Sequence, residues 1–286
     1  VGEIKVTFPN KDIKTFKGSI DGPSADIIFT TEKSIKDCIL GGSIGFCEAI
    51  IYDEIQSKDL SKLIEIGAHE ESGLNTTGNG HYFFKTLNKF FHLLNNNSLK
   101  GSKKNISAHY DLGNKFYKLW LDKSMTYSSA YFGKKNFSLN EAQENKYRKI
   151  SEMVDLKKQY NVLEIGCGWG GFAEFASKNY NSFVTAITIS KEQYEFSKKR
   201  IEVKGLNNSV DVKLIDYRNI RGSFDRIVSI EMIEAVGEKY WPTYFNQIKN
   251  LLKPNGTAAI QVITIDDRYF DGYKKFPDFI QKYIFP

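Results

Sequence analysis

An open, doubly wound α/β sheet beside a smaller α+β domain is the architecture this sequence predicts, and three observations predict it. From Asn161 onward, short apolar runs alternate with helix-length stretches. Those runs are apolar at successive positions, as a parallel sheet covered by helices on both faces demands. The first of them ends in Gly166-Cys167-Gly168 just before a helix, where residues without side chains let backbone N–H groups approach a ligand closely.

The elements follow in chain order. Alternation at Ile4, Val6 and Phe8, and again at Ala25, Ile27 and Phe29, predicts half-buried strands. A turn is expected at Gly41 and Gly42, then a helix over Ser57 to Ile66. From His81 to Leu94, Phe83, Phe84, Leu87, Phe90, Phe91 and Leu94 fall on one helical face opposite Lys85, Asn88, Lys89 and His92. Such a helix either docks on its own core or touches lipid with its rings and lysines. The polar run Asn95 to Asn105 has no period and reads as a linker. Ile106 to about Val154 reads as helical, with a capping box at Ser138 to Glu141 opening the last helix. Strands are then expected at Asn161–Ile165, Phe183–Ile189, Val210–Ile215, Phe224–Ile230 and Thr257–Ile263. Helices are expected near Gly171–Asn179, Lys191–Lys204 and Tyr240–Leu252.

Composition bounds the function. At 286 residues the chain is long enough for about two domains. Apolar residues are 41% and charged residues 26%, which excludes a disordered chain or a membrane-spanning bundle. The longest apolar stretch, Cys38 to Ile51, is 14 residues and is interrupted by glycines and Glu48, whereas a spanning helix needs about 20. No signal-peptide layout opens the chain. Cys38, Cys47 and Cys167 have no metal spacing and fit a reducing cytoplasm. The net charge of +6 suits an anionic surface. Its lysines are scattered rather than striped, and no nucleic-acid motif appears, so a nucleic-acid partner is not expected. The glycine turn departs from the Gly-x-Gly-x-x-Gly fingerprint, and the second strand ends in Thr188-Ile189-Ser190 rather than an acidic residue, which argues against NAD.

Leu163-Glu-Ile-Gly-Cys-Gly168 resembles the first motif of methyltransferases that bind S-adenosylmethionine. Further segments narrow the resemblance: His109-Tyr-Asp-Leu-Gly-Asn-Lys-Phe-Tyr117, Thr126-Tyr-Ser-Ser-Ala-Tyr-Phe132, Ile187-Thr-Ile-Ser-Lys-Glu-Gln193, Asp216-Tyr-Arg218, Phe224-Asp-Arg-Ile-Val-Ser229 and Lys282-Tyr-Ile-Phe-Pro286. Together with Gly45-Phe-Cys-Glu-Ala49 and Asp59-Leu60, they resemble cyclopropane-fatty-acyl-phospholipid synthases and mycolic acid cyclopropane synthases over nearly the whole chain. The resemblance implies a Rossmann-like class I methyltransferase sheet, incomplete at its C-terminus, with a smaller α+β N-terminal domain and a helical cap. It divides the chain into residues 1–94, a lipid-associated domain; 95–105, a linker; 106–154, the cap; and 155–286, a truncated S-adenosylmethionine-binding methyltransferase domain.

The implied cofactor contacts are Gly166 and Gly168 at the methionine part, Tyr127 and Ser128 from the cap, Thr188, Ile189 and Gln193 near the ribose, and Tyr217 along the adenine. Local roles stand beside them: Ser190 and Gln193 also fit a helix capping box, Tyr217 also fits ordinary packing, and Glu164 fits ordering backbone near the turn. The implied reaction passes a methyl group to a cis double bond of a phospholipid acyl chain at the membrane surface. The resulting carbocation then loses a proton to bound bicarbonate, closing a cyclopropane ring. Glu234 matches the glutamate that anchors the bicarbonate, with Gln261 and Ile263 as its partners and Ser129 contributing a backbone N–H.

Three departures stand out. Ser129 replaces a usual cysteine, and Ala235 and Gln261 stand where histidines are common. The chain stops at Pro286, short of the hairpin that completes such a sheet and of a tyrosine at the bicarbonate site, so these residues alone are expected to be unstable or inactive. The histidine changes leave open a methyltransferase that yields a branched acyl chain. A small-molecule methyltransferase and a non-catalytic lipid- or cofactor-binding module are the remaining alternatives. The resemblance also implies a cytoplasmic protein peripheral to the inner face of the membrane, and admits a homodimer through the first part.

Overall fold

Val162 and Leu163 are adjacent, fully buried, and packed into different apolar clusters. Successive side chains of a strand point to opposite faces, so this one pair marks a strand covered on both sides. The structure, a computed structural model, describes residues 1–69, 113–133, 136–275 and 279–284. The expected aromatic helix at His81–Leu94 and the linker at 95–105 lie outside the described residues. The chain divides into two units: Val1–Asn95 with Asp266–Ile284 and Pro286, and Asn96–Ile265 with Phe285. Asp266–Ile284, which the sequence reading assigned to the 155–286 domain, thus groups with the first unit.

In the first unit, strands β1 (Glu3–Thr7), β2 (Ile13–Lys17), β3 (Ser24–Phe29) and β4 (Ile55–Gln56) form a four-stranded sheet in the order β2-β1-β3-β4. Val6, Ala25 and Ile27 of its inner face pack on Ala49 of helix α1 (Glu32–Ile51) and on Leu63 and Ile66 of helix α2 (Leu60–His69). The turn expected at Gly41 and Gly42 is instead a kink inside α1, where Gly42 has φ 57° and ψ −137°, a conformation glycine adopts without steric penalty. Helix α2 begins later than the expected Ser57 because the Asp59 side chain accepts the Lys62 N–H at 3.1 Å, setting the first turn. Strands β2 and β4 were not anticipated: β2 is exposed along its whole length and β4 is two residues long, so neither has a hydrophobic period to read.

The second unit holds a five-stranded, all-parallel sheet in the order β7-β6-β5-β8-β9. Its strands are β5 (Asn161–Ile165), β6 (Phe183–Thr188), β7 (Val210–Leu214), β8 (Phe224–Ile230) and β9 (Leu252–Gln261). Ahead of them come helices α3 (Gly113–Tyr117) and α4 (Leu139–Met153); α5 (Gly171–Tyr180), α6 (Lys191–Val203) and α7 (Trp241–Leu251) connect the strands. Strand β9 extends back to Leu252 through a register shift between Phe224 and Arg226. It stops at Gln261, short of the expected Ile263, because the Ile263 N–H turns to the Glu234 carboxylate.

Among the described residues of the 106–154 stretch, helix is less extensive than expected. Between α3 and α4, Asp122 accepts the backbone N–H groups of Ser124 and Thr126 at 2.9 and 3.1 Å. This local alternative to helix holds Met125 at φ 55°. The capping box at Ser138 and Glu141 forms as expected. Sheet order reverses at β5, with β6 on one side and β8 on the other, and such a switch point opens a crevice at the carboxyl ends of the strands.

Candidate active site

The crevice is a cavity of about 540 Å³ within the second unit. Its floor is the turn after β5. Gly166 has φ 81°, and a Cβ there would meet the Met232 side chain at 2.7 Å; Gly168 has φ 52° and faces open space. Beside the turn, burial drives the Cys167 thiol well above its ordinary pKa, so it stays protonated and unreactive. Glu164, beneath the turn, is also fully buried, and desolvation pushes its carboxyl up to about 8 although the Ala173 N–H opposes the shift. It therefore orders backbone at the start of α5, as its sequence position suggested.

The end of β6 supplies short polar groups. The Thr188 hydroxyl donates to Gln193 Oε1 at 2.8 Å and accepts the Ser190 N–H at 3.1 Å. Ser190 caps α6 by accepting the Gln193 N–H at 3.3 Å. With its oxygen held by Thr188, the Gln193 side chain does not close a reciprocal box, and its amide lines the cavity with Ile189. After β7, Arg218 forks onto Asp216 at 2.8 and 2.6 Å and lies 5.3 Å from the Tyr217 ring centre. That ring is buried and also meets Tyr244 edge-on at 5.5 Å. All the residues assigned to the cofactor (Tyr127, Ser128, Gly166, Gly168, Thr188, Ile189, Gln193 and Tyr217) line this one cavity.

The opposite wall comes from the segment between α3 and α4. Helix α4 fixes it: Gln143 donates to the Ser128 carbonyl at 2.8 Å and Asn145 to the Tyr131 carbonyl at 2.7 Å. Lys146, buried in the same helix, reaches the Ser128 hydroxyl; desolvation lowers its pKa to about 8, against the pull of the Glu231 and Asp122 carboxylates. Aromatic rings crowd this wall, with Tyr117 4.9 Å from Trp169 and Trp120 5.3 Å from Tyr127.

The residues assigned to chemistry meet at the ends of β8 and β9, in two groups. Glu234 Oε1 accepts the Ile263 N–H at 2.6 Å. Ser129 and Gln261 are joined by a hydrogen bond of 2.9 Å, and both converge on Glu231, which the sequence reading passed over. Glu231 Oε1 accepts from Ser129 N at 2.9 Å, Ser129 Oγ at 2.8 Å and Gln261 Nε2 at 2.8 Å. Its backbone sits at φ 48°, a left-handed conformation that costs a non-glycine residue on the order of 1–3 kcal/mol. The available signal was the pair Glu231 and Glu234, two carboxylates three residues apart directly after an apolar strand. Trp120 was also missed, since nothing in its spacing marks it.

A family model described as mycolic acid cyclopropane synthetase matches residues 97–286. A cyclopropane-fatty-acyl-phospholipid synthase of Escherichia coli (strain K12) is 42% identical over 182 residues, covering 62% of this chain and 44% of the relative. A tuberculostearic acid methyltransferase of Mycobacterium tuberculosis is 33% identical over 252 residues, covering 86% of this chain and 58% of the relative. Among solved structures, a cyclopropane synthase from Mycobacterium tuberculosis superposes with a TM-score of 0.60 at 30% identity, covering 64% of this chain and 68% of that one. The chain spans about half the length of the curated relatives it matches. With a match that runs through the glycine turn and both carboxylate groups, the chain belongs to the mycolic acid cyclopropane synthetase family.

Proposed function

We propose that the protein carrying this chain is an S-adenosylmethionine-dependent methyltransferase that adds one carbon to the cis double bond of a phospholipid acyl chain. One observation carries the reading: the glycine turn, the polar end of β6, the Tyr217 ring and the carboxylate corner at β8 and β9 open into one cavity. The cofactor fits the residues present. Gly168 leaves a cradle that a Cβ would enter. Buried Glu164 Oε2 and the Tyr217 hydroxyl have no hydrogen-bond partner among the described residues, an open capacity that a polar ligand satisfies. In support, a mycolic acid cyclopropane synthase solved in complex with SAH and CTAB superposes with a TM-score of 0.57 at 29% identity.

When bound, S-adenosylmethionine supplies a methyl group on a positively charged sulfur. The chain's own residues do the rest. The Gly166–Gly168 backbone and Gln193 hold the donor, and Tyr217 offers a planar face to its purine. The rings of Trp120, Tyr127 and Trp169 line the cavity; they exclude water and face the positive charge that develops on the acyl chain. A proton must then leave, and the corner of Ser129, Gln261 and Glu231 is where it is taken. The bicarbonate implied by the family resemblance would compete there with Glu231 for the same donors. The lipid-associated role of residues 1–94 and a peripheral position at the inner membrane face belong to the same proposal. The chain's net charge of +6 supports them, and no described helix is long and apolar enough to cross a membrane.

A branched product is the second reading. It is favoured by Ala235 and Gln261, which stand where histidines were expected, and by the match to a tuberculostearic acid methyltransferase over 86% of this chain. The test uses methyl-labelled S-adenosylmethionine with vesicles of phospholipid bearing cis-unsaturated or saturated chains. Label entering only the unsaturated acyl chains is expected. Label in neither lipid, with transfer to a soluble amine, would overturn the reading.

A further inference from the structure

Glu231 stands at the carboxyl end of β8 with its backbone at φ 48°. Ile165 pairs with Ser229 in the sheet, so Gly166 and Glu231 emerge close together at the carboxyl ends of β5 and β8. Both line the cavity. Three donors fix Oε1, while Oε2 takes no hydrogen bond from any described residue. Gln261 is itself held, because the Glu231 N–H donates to its carbonyl at 2.9 Å and its side chain spans Ser129 and Glu231. A left-handed glutamate whose carboxylate is anchored by one oxygen and open at the other is built to present an acceptor. Glu234 also holds one oxygen to a backbone donor, the Ile263 N–H, but takes no hydrogen bond from Ser129 or Gln261, the pair on which Glu231 sits.

We propose that Glu231 is the general base of the reaction: its carboxylate stands in the anion site formed by Ser129 and Gln261, and the chemistry needs no bound bicarbonate. The inference rests on the methyl transfer proposed above. Once the methyl carbon has bonded to one carbon of the double bond, its bond to the donor's sulfur having broken with the electron pair left on that now neutral thioether, the neighbouring carbon carries the positive charge. Glu231 Oε2 takes a proton from the new methyl group, forming an O–H bond as the C–H bond breaks. The electron pair left on that carbon forms the bond to the cationic carbon and closes the ring. Glu231 is left as the neutral acid and returns its proton to water, the site being only half-buried.

The competing role is a clip that ties the 126–131 segment to β9, and two variants separate the roles. Glu231→Gln keeps an oxygen for all three donors but is no base. Glu231→Gly empties the site and suits the left-handed backbone, so it is expected to fold. The full-length protein is assayed in buffer freed of carbon dioxide and again with added bicarbonate. Wild-type turnover should be the same in both. Each variant should lose about 100-fold or more, and only Glu231→Gly should regain turnover with bicarbonate or formate. Carbon-13 NMR of labelled bicarbonate, without lipid or cofactor, should detect binding to Glu231→Gly and none to wild type. Loss of wild-type turnover without bicarbonate, full activity of Glu231→Gln, or equal bicarbonate binding by wild type and Glu231→Gly would each overturn the proposal. If the wild type moves no methyl group to lipid, the reaction proposed above fails, while the binding contrast still decides whether Glu231 fills the anion site.

Discussion

Beneath the glycine turn, Glu164 couples the site to pH. The folded protein keeps its proton up to about pH 8, whereas the unfolded chain releases it near 4.5. Between those values the unfolded state binds fewer protons, so this residue makes stability fall as pH rises, by at most about 1.4 kcal/mol per pH unit. Glu164→Gln removes the titration and keeps an acceptor for the Ala173 N–H. Urea unfolding of the cofactor-free protein at pH 5.5 and 8.5 should show a flatter profile for the variant and greater stability than wild type at the higher pH; parallel profiles would refute the assignment. Glu164 was legible from its place before the turn. Glu231 was not, because its importance depends on Ser129 and Gln261, 102 and 30 residues away along the chain.

Helix α4 is the element on which the cap side of the cavity depends. Its capping box was readable from Ser138 and Glu141, but its task was not, since Gln143, Asn145 and Lys146 look like an ordinary polar face and are in fact buried against the 126–131 segment. Ser138→Ala should lower unfolding stability by about 1 kcal/mol, read as a shift of the urea midpoint at constant slope; an unchanged midpoint would show that the cap is not needed. The central strands were legible to within a residue or so because burial on both faces leaves continuous apolar runs. The segment after α3 departs from the expected helix because the Asp122 turn competes with it through side-chain bonds that hydrophobic periodicity does not register.

For the whole molecule, the order of strands converts a linear alternation into a site. The reversal at β5 brings together the ends of every strand of the parallel sheet, so residues from Tyr127 to Ile263 meet in one cavity. The sequence foretold the parallel sheet and the residues at its strand ends; it could not foretell that a carboxylate of the chain would take the donors expected to hold an anion. The proposed chemistry is a methyl transfer followed by loss of a proton from that same methyl. The most direct measurement supplies S-adenosylmethionine with a fully deuterated methyl group and weighs the acyl chains afterwards. One deuterium lost for each methyl transferred, with the double bond gone, is the expected result. Retention of all the deuterium would place the proton loss elsewhere on the chain and contradict the account.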